Sequence, residues 1–254
     1  MTNPSDWLAR TELLIGPEKL ERLRMAHILV LGCGGVGCAA AEMLCRAGIG
    51  RLTIADADII QPSNRNRQLI ALLSTEGLKK TRVLADRLHD INPEIELITV
   101  DKFLKEDPMI ELLDHPYDYI VDAIDSLSAK AYMLLYALKF KHKVVSAMGA
   151  GAKLDPSKIC VADISETHTC TFAFDIRKRL RRLGITTGFK AVFSTEQPIK
   201  ESVIFFDSVN NKKSMAGTIS YLPVMFGCYC ASVAIRDLID PSQYGTNNIS
   251  RINS

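Results

Sequence analysis

The sequence predicts an α/β fold built on a doubly wound, mostly parallel sheet that continues into the C-terminal half of the chain. Short apolar runs typical of buried strands alternate with helical segments between residues 26 and 150. This alternation is typical of a parallel sheet with helices on both faces. The first strand leads into Gly32, Gly34 and Gly37, which spell GxGxxG and open a helix, as at the nucleotide-binding edge of such a sheet.

The predicted elements divide the chain into four parts. Residues 1–25 form an N-terminal helical segment, residues 26–150 a Rossmann-like nucleotide-binding part, residues 151–240 a C-terminal lobe, and residues 241–254 a frayed tail. The lobe continues the sheet and carries a basic helix. Strands are predicted over 26–32, 50–56, 94–100, 117–125, 143–149, 158–164, 189–194 and 202–208, and helices over 35–47, 77–92, 126–140, 172–183 and 221–235.

Composition narrows the class of protein. The chain has 254 residues, of which 47% are hydrophobic, and a net charge of +2, so an anionic partner would have to bind at a local cluster of cations. Its seven cysteines form no CxxC pair, which argues against a zinc site or disulfide framework and favours reduced thiols in the cytoplasm. The longest apolar run, 221–235, is interrupted by Pro223 and Gly227 and is shorter than the ~20 residues of a membrane span. We therefore expect a buried helix there and no membrane partner.

Each glycine of the loop has a physical role. Gly32 permits a tight turn, Gly34 lets the backbone approach a phosphate, and Gly37 lets the helix pack closely on the sheet. Gly35 begins the helix, where unpaired amides attract anions. Asp56 ends the second strand, about 20 residues later, where a ribose-binding acid is expected. These residues predict a nucleotide site; the alternative is a tight turn without a ligand.

The segment DADIIQPSNRNRQLI, residues 56–70, favours a nucleoside triphosphate over a dinucleotide. A dehydrogenase does not need two arginines and two asparagines just beyond its ribose acid, whereas arginine forks pair with phosphate oxygens. Asn64 and Asn66 can hold a sugar or phosphate edge, and Lys80 supplies a further cation at the start of the next helix. A solvated polar loop is the alternative interpretation.

Two carboxylates, Asp122 and Asp125, end the fourth predicted strand, at the edge of the sheet where ligands bind in such folds. Carboxylates beside phosphates indicate Mg²⁺, which takes one or two carboxylates together with phosphate oxygens. Asp125 is equally placed to cap the helix that begins at Ser126, and the residues alone leave both interpretations open.

The motifs GCGGVG, DAD, SNRNRQ, GLKK and VDAIDS, in this order, resemble those of the ThiF/MoeB-type family, bacterial relatives of ubiquitin-activating enzymes. The resemblance implies a Rossmann-like fold that uses ATP to adenylate a carboxylate. It places Asp56 at the ribose, Asp125 at Mg²⁺, and Asn64, Arg67 and Lys80 at the phosphates. Arg10, in ARTELLIG, is similar to an arginine that crosses a homodimer to the partner's ATP. The catalytic residues implied are Arg10, Arg67, Lys80 and Asp125. The cofactor-binding residues implied are Gly32, Gly34, Gly35, Gly37, Asp56, Asp58, Asn64, Arg67, Lys80, Asp122 and Asp125.

The C-terminal half resembles one branch of this family, the tRNA threonylcarbamoyladenosine dehydratases, through GAGAKLDPSKI, IRKRLRR and VFSTE. The resemblance implies that ATP activates the threonine carboxylate of the modified adenosine in the tRNA anticodon loop. The neighbouring carbamoyl group then closes a ring, with release of pyrophosphate and AMP. The implied partners are tRNA, a second copy of the chain and a cysteine desulfurase system.

Five cations lie close together in the basic helix, and we expect them to contact RNA phosphates. A solvated helix face is the alternative. Cys170 lies near His168, and we interpret it as an ordinary loop thiol rather than half of a catalytic pair. The predicted tRNA-binding residues are Arg177, Lys178, Arg179, Arg181 and Arg182.

Two other functions stay open. The first is adenylation of the C-terminal Gly-Gly of a ubiquitin-like sulfur carrier, although the CxxC pairs usual in that branch are absent. The second is an NAD-dependent oxidoreductase, which binding of NAD instead of ATP would establish.

Overall fold

A seven-stranded sheet lies at the centre of the structure, a computed structural model that describes residues 6–205 and 214–240. A separate two-stranded sheet accompanies it. The strands are β1 His27–Leu31, β2 Arg51–Ala55, β3 Glu96–Val100, β4 Tyr119–Asp122, β5 Val144–Ala147, β6 Ile159–Asp163, β7 Lys190–Ser194, β8 Val203–Phe205 and β9 Ser214–Ala216. The α-helices are α1 Ala9–Ile15, α2 Pro17–Met25, α3 Gly35–Arg46, α4 Lys80–Ile91, α5 Asp107–Leu113, α6 Leu127–Lys139, α7 Thr171–Arg181 and α8 Tyr221–Ile239.

The strand order across the main sheet is β3-β2-β1-β4-β5-β7-β6. Neighbouring strands are parallel except β6, which is antiparallel to β7. At the carboxyl end of β1, Leu31 is in register with Ala55 of β2 on one side and Asp122 of β4 on the other. The strand order reverses between β1 and β4, and ligands of doubly wound folds bind at such a switch point.

Two apolar clusters cover the two faces of the sheet. One contains residues of α3, α4 and α8, and the other contains residues of α5, α6 and α7. Helix α8 packs tightly on α3 because it carries Gly227, where a Cβ would lie 2.3 Å from the carbonyl oxygen of Val36. Among the described residues, α8 alone is long and apolar enough to cross a membrane, judged by length and composition. Half of its apolar window is buried in the protein, as expected for a core helix.

The fold class is confirmed, and the structure differs from the expectation in three elements. Strand β8 pairs in the separate sheet with β9, which was not predicted, so the predicted strand 202–208 does not extend the main sheet. Helix α5 has no counterpart among the predicted elements, because its seven residues give too little periodicity to detect. Residues 206–208 of the predicted strand and the predicted tail 241–254 lie outside the described residues.

Candidate active site

The glycine loop joins β1 to α3, and its glycines are required to different degrees. Gly32 has a φ of +90°, and a Cβ there would lie 2.8 Å from the carbonyl oxygen of Ala123. A Cβ at Gly37 would lie only 1.7 Å from the carbonyl oxygen of Gly32. At Gly34, by contrast, a Cβ would meet Nε2 of Gln68 at 3.9 Å and no other described atom within 4 Å apart from its chain neighbours and its own helix. The loop is therefore closed against the protein on one side and open at Gly34, where the first amides of α3 lack intrahelical partners.

Asp56, just after β2, holds the glycine loop in place. Its carboxylate accepts hydrogen bonds from the backbone amides of Cys33, at 2.7 Å, and Asp58, at 2.8 Å. The ammonium of Lys80 lies 2.8 Å from Asp58 and 3.7 Å from Asp56. Burial by itself would lower the pKa of Lys80, but the carboxylates of Asp56 and Asp58 outweigh it and raise that pKa. Lys80 is therefore a buried, permanently charged cation beside the loop.

The segment between β2 and α4 brings Arg67 against the start of α3. A Cβ at Gly35 would lie 2.9 Å from the carbonyl oxygen of Arg67, and the Arg67 guanidinium donates to the side chain of Asn66 and the backbone of Ser63, both at 2.9 Å. Asn64 is buried, and its side-chain oxygen accepts a 3.0 Å hydrogen bond from the Gln61 amide. Arg67 thus lies against the glycine loop, and Asn64 belongs to the same segment.

Gln68 is a site residue that sequence reasoning missed. It ends the motif SNRNRQ, which was the available signal. It is 7% exposed, and its side-chain oxygen is buried without a hydrogen-bond partner. An unpaired buried oxygen is costly, and this side chain is the nearest group to the open position at Gly34. The amide nitrogen of Gln68 faces that position, so the side chain can donate a hydrogen bond to a ligand there.

Asp122 differs from the expectation of a direct ligand contact. It is fully buried, and its carboxylate accepts hydrogen bonds from Lys130 Nζ at 2.5 Å, Ser146 Oγ at 2.5 Å and the Ile124 amide at 3.0 Å. We therefore assign Asp122 to positioning the end of β4 and withdraw it from the set of residues expected to touch ATP.

Asp125 lies three residues beyond Asp122, exposed, in the loop between β4 and α6. This loop is adjacent to the glycine loop, because the carbonyl of Ala123 lies next to Gly32. The N-cap position of α6 is Ser126, one residue beyond Asp125. Within residues 6–205 and 214–240, no three His, Cys, Asp or Glu side chains form a metal-binding group. A single carboxylate fits Mg²⁺ that takes its other ligands from phosphates and water.

Arg10 is not brought together with these residues in one chain. It is exposed on α1, a helix without buried residues. The preceding Leu8 packs near Gly48, where a Cβ would lie 3.0 Å from its side chain. Gly48 follows the C-terminal end of α3, whereas the glycine loop is at the N-terminal end of that helix. Twelve helical residues span about 18 Å, so α1 begins near the end of α3 that is remote from the glycine loop of its own chain.

The basic helix corresponds to α7, and the structure divides its cations into two groups. Arg179 donates a 2.8 Å hydrogen bond to Ser128 in the first turn of α6. The other four predicted tRNA-binding residues share a groove of about 460 Å³ with an exposed phenylalanine. We call it the basic groove, and it is lined by Phe174, Arg177, Lys178, Arg181 and Arg182.

The cysteines of the glycine loop and of the start of α3 are poorly suited to act as nucleophiles. Burial raises the pKa of Cys33 and Cys38 well above the usual range. Cys170 is buried and forms no hydrogen bond with the His168 ring, which packs edge-on against Phe193 at 5.4 Å. Cys170 and His168 therefore do not form a Cys–His pair here, and the interpretation of Cys170 as an ordinary thiol stays a prediction.

Comparison with known proteins gives consistent results for the family and the fold. A model of the ThiF family matches residues 8–253. The chain is 44% identical over 191 residues to the tRNA threonylcarbamoyladenosine dehydratase of Bacillus subtilis (strain 168), which covers 75% of each chain. It is 33% identical over 153 residues to the molybdopterin-synthase adenylyltransferase of Salmonella typhimurium, which covers 60% of each. It is also similar to the crystal structure of E. coli tRNA N6-threonylcarbamoyladenosine dehydratase, TcdA, in complex with ATP, with a TM-score of 0.85, 33% identity, and coverage of 96% of this chain and 99% of that one.

Proposed function

The chain belongs to the ThiF family, and we propose from this premise that it is an ATP-dependent tRNA threonylcarbamoyladenosine dehydratase. The observation that carries the proposal is the open glycine loop beside the buried cation Lys80, in a chain 44% identical to the Bacillus enzyme over three quarters of both. The sulfur-carrier alternative has weaker support, since the Salmonella relative aligns over a smaller share of both chains. No observation favours the NAD-dependent alternative, and the relative with the same fold is in complex with ATP.

The reaction removes one water molecule in two steps. A carboxylate oxygen of the threonyl group bonds to the α-phosphorus of ATP while the bond from that phosphorus to pyrophosphate breaks. The carbamoyl group of the same nucleoside then bonds to the activated carbonyl carbon, the bond to AMP breaks, and a proton is released. Because both groups belong to one nucleoside, the ring closure benefits from effective molarities on the order of 10⁵ M. No enzyme nucleophile is needed, in agreement with the buried state of Cys170.

The residues around the glycine loop fit ATP. The amides at the start of α3 face the open position at Gly34, and Lys80, Arg67 and Asn64 flank it, so phosphates are stabilised there by charge and by directed donors. Asp56 already accepts two backbone hydrogen bonds. A carboxylate has about four acceptor positions, so Asp56 retains capacity for ribose hydroxyls, and Asp58 supplies a second acid beside it.

We assign Asp125 to Mg²⁺ within this proposal. A bound Mg²⁺ would neutralise negative charge on the phosphates and orient them. Asp125 is supported in this role by its exposure and by the contact of its loop with Gly32. The buried Asp122 has no such access.

A homodimer is part of the proposal, with Arg10 acting on the ATP of the other copy. Its support is the exposure of apolar side chains on and beside α1, which is 50% for Trp7, 83% for Leu13, 85% for Leu14 and 77% for Met25. Mixing Arg10→Ala protein with Lys80→Met protein should restore activity that neither variant has alone, because a mixed dimer would contain one intact site. Absence of restoration, or a monomer in sedimentation analysis, would contradict this part.

We further propose a cytoplasmic location and a cysteine desulfurase system as a partner. Free thiols at all seven cysteines and a tRNA substrate support a cytoplasmic location, which fractionation of cells would test. A cysteine desulfurase system is proposed as a partner on the family resemblance alone, and co-purification from cells would test it.

The activity is tested by incubating the purified protein with ATP, Mg²⁺ and tRNA that carries threonylcarbamoyladenosine. Mass spectrometry of the nucleosides should show loss of one water, with AMP and pyrophosphate formed in equal amounts. The matched control is α,β-methylene ATP, in which the bond to be broken is replaced and ring closure should stop. An unchanged nucleoside together with adenylation of a Gly-Gly protein tail would favour the sulfur-carrier function.

A further inference from the structure

The basic groove lies on a face of α7 that is turned away from the core. Ala173, Ile176 and Leu180 form the buried face of this helix. The groove residues are spaced i, i+3, i+4, i+7 and i+8, which places them on one stripe of a helix. That stripe consists of Phe174, Arg177, Lys178, Arg181 and Arg182.

Phe174 is exposed among these cations rather than buried under them. Its exposed fraction is 56%. The Arg177 guanidinium lies 6.0 Å from the centre of the ring and is fixed by a 2.7 Å hydrogen bond to the carbonyl oxygen of Thr167. The neighbouring Asp175 does not line the groove. The groove therefore offers an apolar ring surface next to an excess of positive charge.

We propose that the basic groove binds an unpaired segment of the RNA substrate, with Phe174 stacking on one base and the cations pairing with flanking phosphates. Aromatic rings beside a basic track are the means by which proteins bind single-stranded nucleic acid. Bases inside a duplex are already stacked on one another. Proteins therefore stack aromatic side chains on RNA bases mainly at single-stranded loops and ends. The inference rests on the proposed function and names the part of the tRNA that this surface takes, namely unpaired nucleotides of a loop.

The groove is connected to the nucleotide site through α6. Arg179, on the other side of α7, donates to Ser128, and the loop that carries Asp125 leads directly into that turn of α6. Nucleotides bound in the groove therefore contact helix α7, which is hydrogen-bonded through α6 to the edge of the sheet where ATP is proposed to bind. This placement suits a substrate whose reacting group must reach ATP from a nearby loop.

The test compares two fluorescently labelled RNA probes of equal length, a hairpin with an unpaired loop and a fully paired duplex, by anisotropy over a series of salt concentrations. Phe174→Ala should weaken hairpin binding about 5- to 150-fold, the range for loss of one stacked base, with little change in duplex binding or in the salt slope. Phe174→Trp should restore hairpin binding, since indole also stacks. Arg181→Gln with Arg182→Gln should weaken both probes and make the slope of log affinity against log salt shallower by about 1.4 for unpaired RNA.

The matched charge control is Lys102→Gln with Lys105→Gln, two exposed cations just beyond the opposite edge strand β3. It should leave binding of both probes close to that of the unaltered protein. Equal loss of hairpin and duplex binding in Phe174→Ala, or no loss at all, would overturn the inference. Normal ring closure by Phe174→Ala at low tRNA concentration would overturn it while leaving the proposed function intact. Loop-selective binding by a protein that forms no cyclic product would contradict the proposed function while leaving the binding of unpaired RNA in the basic groove intact.

Discussion

Replacing Gly34 by alanine should separate nucleotide binding from folding. A Cβ at this position meets only Nε2 of Gln68, at 3.9 Å, and the backbone there is extended with a φ of −83°. The free energy of unfolding should therefore change by less than about 1 kcal/mol, mainly through a weaker N-cap. ATP affinity should fall about 10- to 100-fold, because the methyl group occupies the approach to the α3 amides and hydrogen bonds to a charged group contribute about 1.5–3 kcal/mol each.

The neighbouring Gly37→Ala variant is the matched comparison, because the same added methyl group meets filled space. Its Cβ would lie 1.7 Å from the carbonyl oxygen of Gly32, so either the loop or α3 must move. We expect a loss of more than about 4 kcal/mol of unfolding free energy. That loss corresponds to a melting temperature lower by at least about 8 °C for a chain of this size.

Thermal unfolding and calorimetric titration with ATP and Mg²⁺ measure both effects. The expected pattern is a stable Gly34→Ala protein that binds ATP weakly and a Gly37→Ala protein that unfolds early. Unaltered ATP affinity in Gly34→Ala would refute the assignment of the glycine loop to phosphates. An unaltered melting temperature in Gly37→Ala would refute the packing argument.

Three further outcomes are expected. Asp125→Asn should fold normally and bind ATP without Mg²⁺ as before, but its rate of AMP formation should fall at least about 100-fold. The control variant Asp114→Asn, at an exposed position, should be fully active. Normal turnover of Asp125→Asn would exclude the metal role. Cys170→Ala should keep most of its ring-closing activity, and a covalent substrate thioester trapped at Cys170 in the unaltered protein would contradict this. Burial alone would raise the pKa of Glu42, but hydrogen bonds from Arg87 and a second arginine outweigh it and hold the pKa below its usual value of 4.5. Its stabilising contribution is therefore complete above about pH 4.5 and lost as the pH falls through the lower folded-state value, so the difference in melting temperature between the unaltered protein and Glu42→Gln should be constant near neutral pH and shrink in acid.

The parts of the site that could be predicted from the sequence are those encoded in short local motifs. The glycine spacing, the acid after β2 and the motif SNRNRQ are readable because each lies within a few residues of a strand end. Contacts between residues that are far apart in the sequence could not be predicted from such local motifs. The sequence does not reveal that Lys130 forms a buried ion pair with Asp122. It also does not reveal that Arg65 pairs with Glu76 at 3.3 Å while Arg67 faces the loop.

The basic helix illustrates the same limit at the surface. Its composition predicted RNA contact, but composition alone does not show which cations share a face. The structure separates Arg179, which is held by Ser128, from the four cations that surround Phe174. The role of Phe174 follows only from its exposure, because the spacing of an aromatic residue on a helix more often indicates a core position.

The loop that carries Asp125 is placed by contacts outside itself. Beneath it, the buried pair of Asp122 and Lys130, with Ser146 as third member, joins β4, α6 and β5. Beside it, the carbonyl of Ala123 lies against Gly32, and ahead of it, the first turn of α6 is bonded to α7 through Arg179. A buried ion pair contributes little net stability compared with apolar packing of the same volume, whereas removal of one partner is strongly destabilising. The pair is therefore better explained by what it positions: it holds the proposed metal ligand against the glycine loop, and it does so from the same helix that supports the proposed RNA-binding surface.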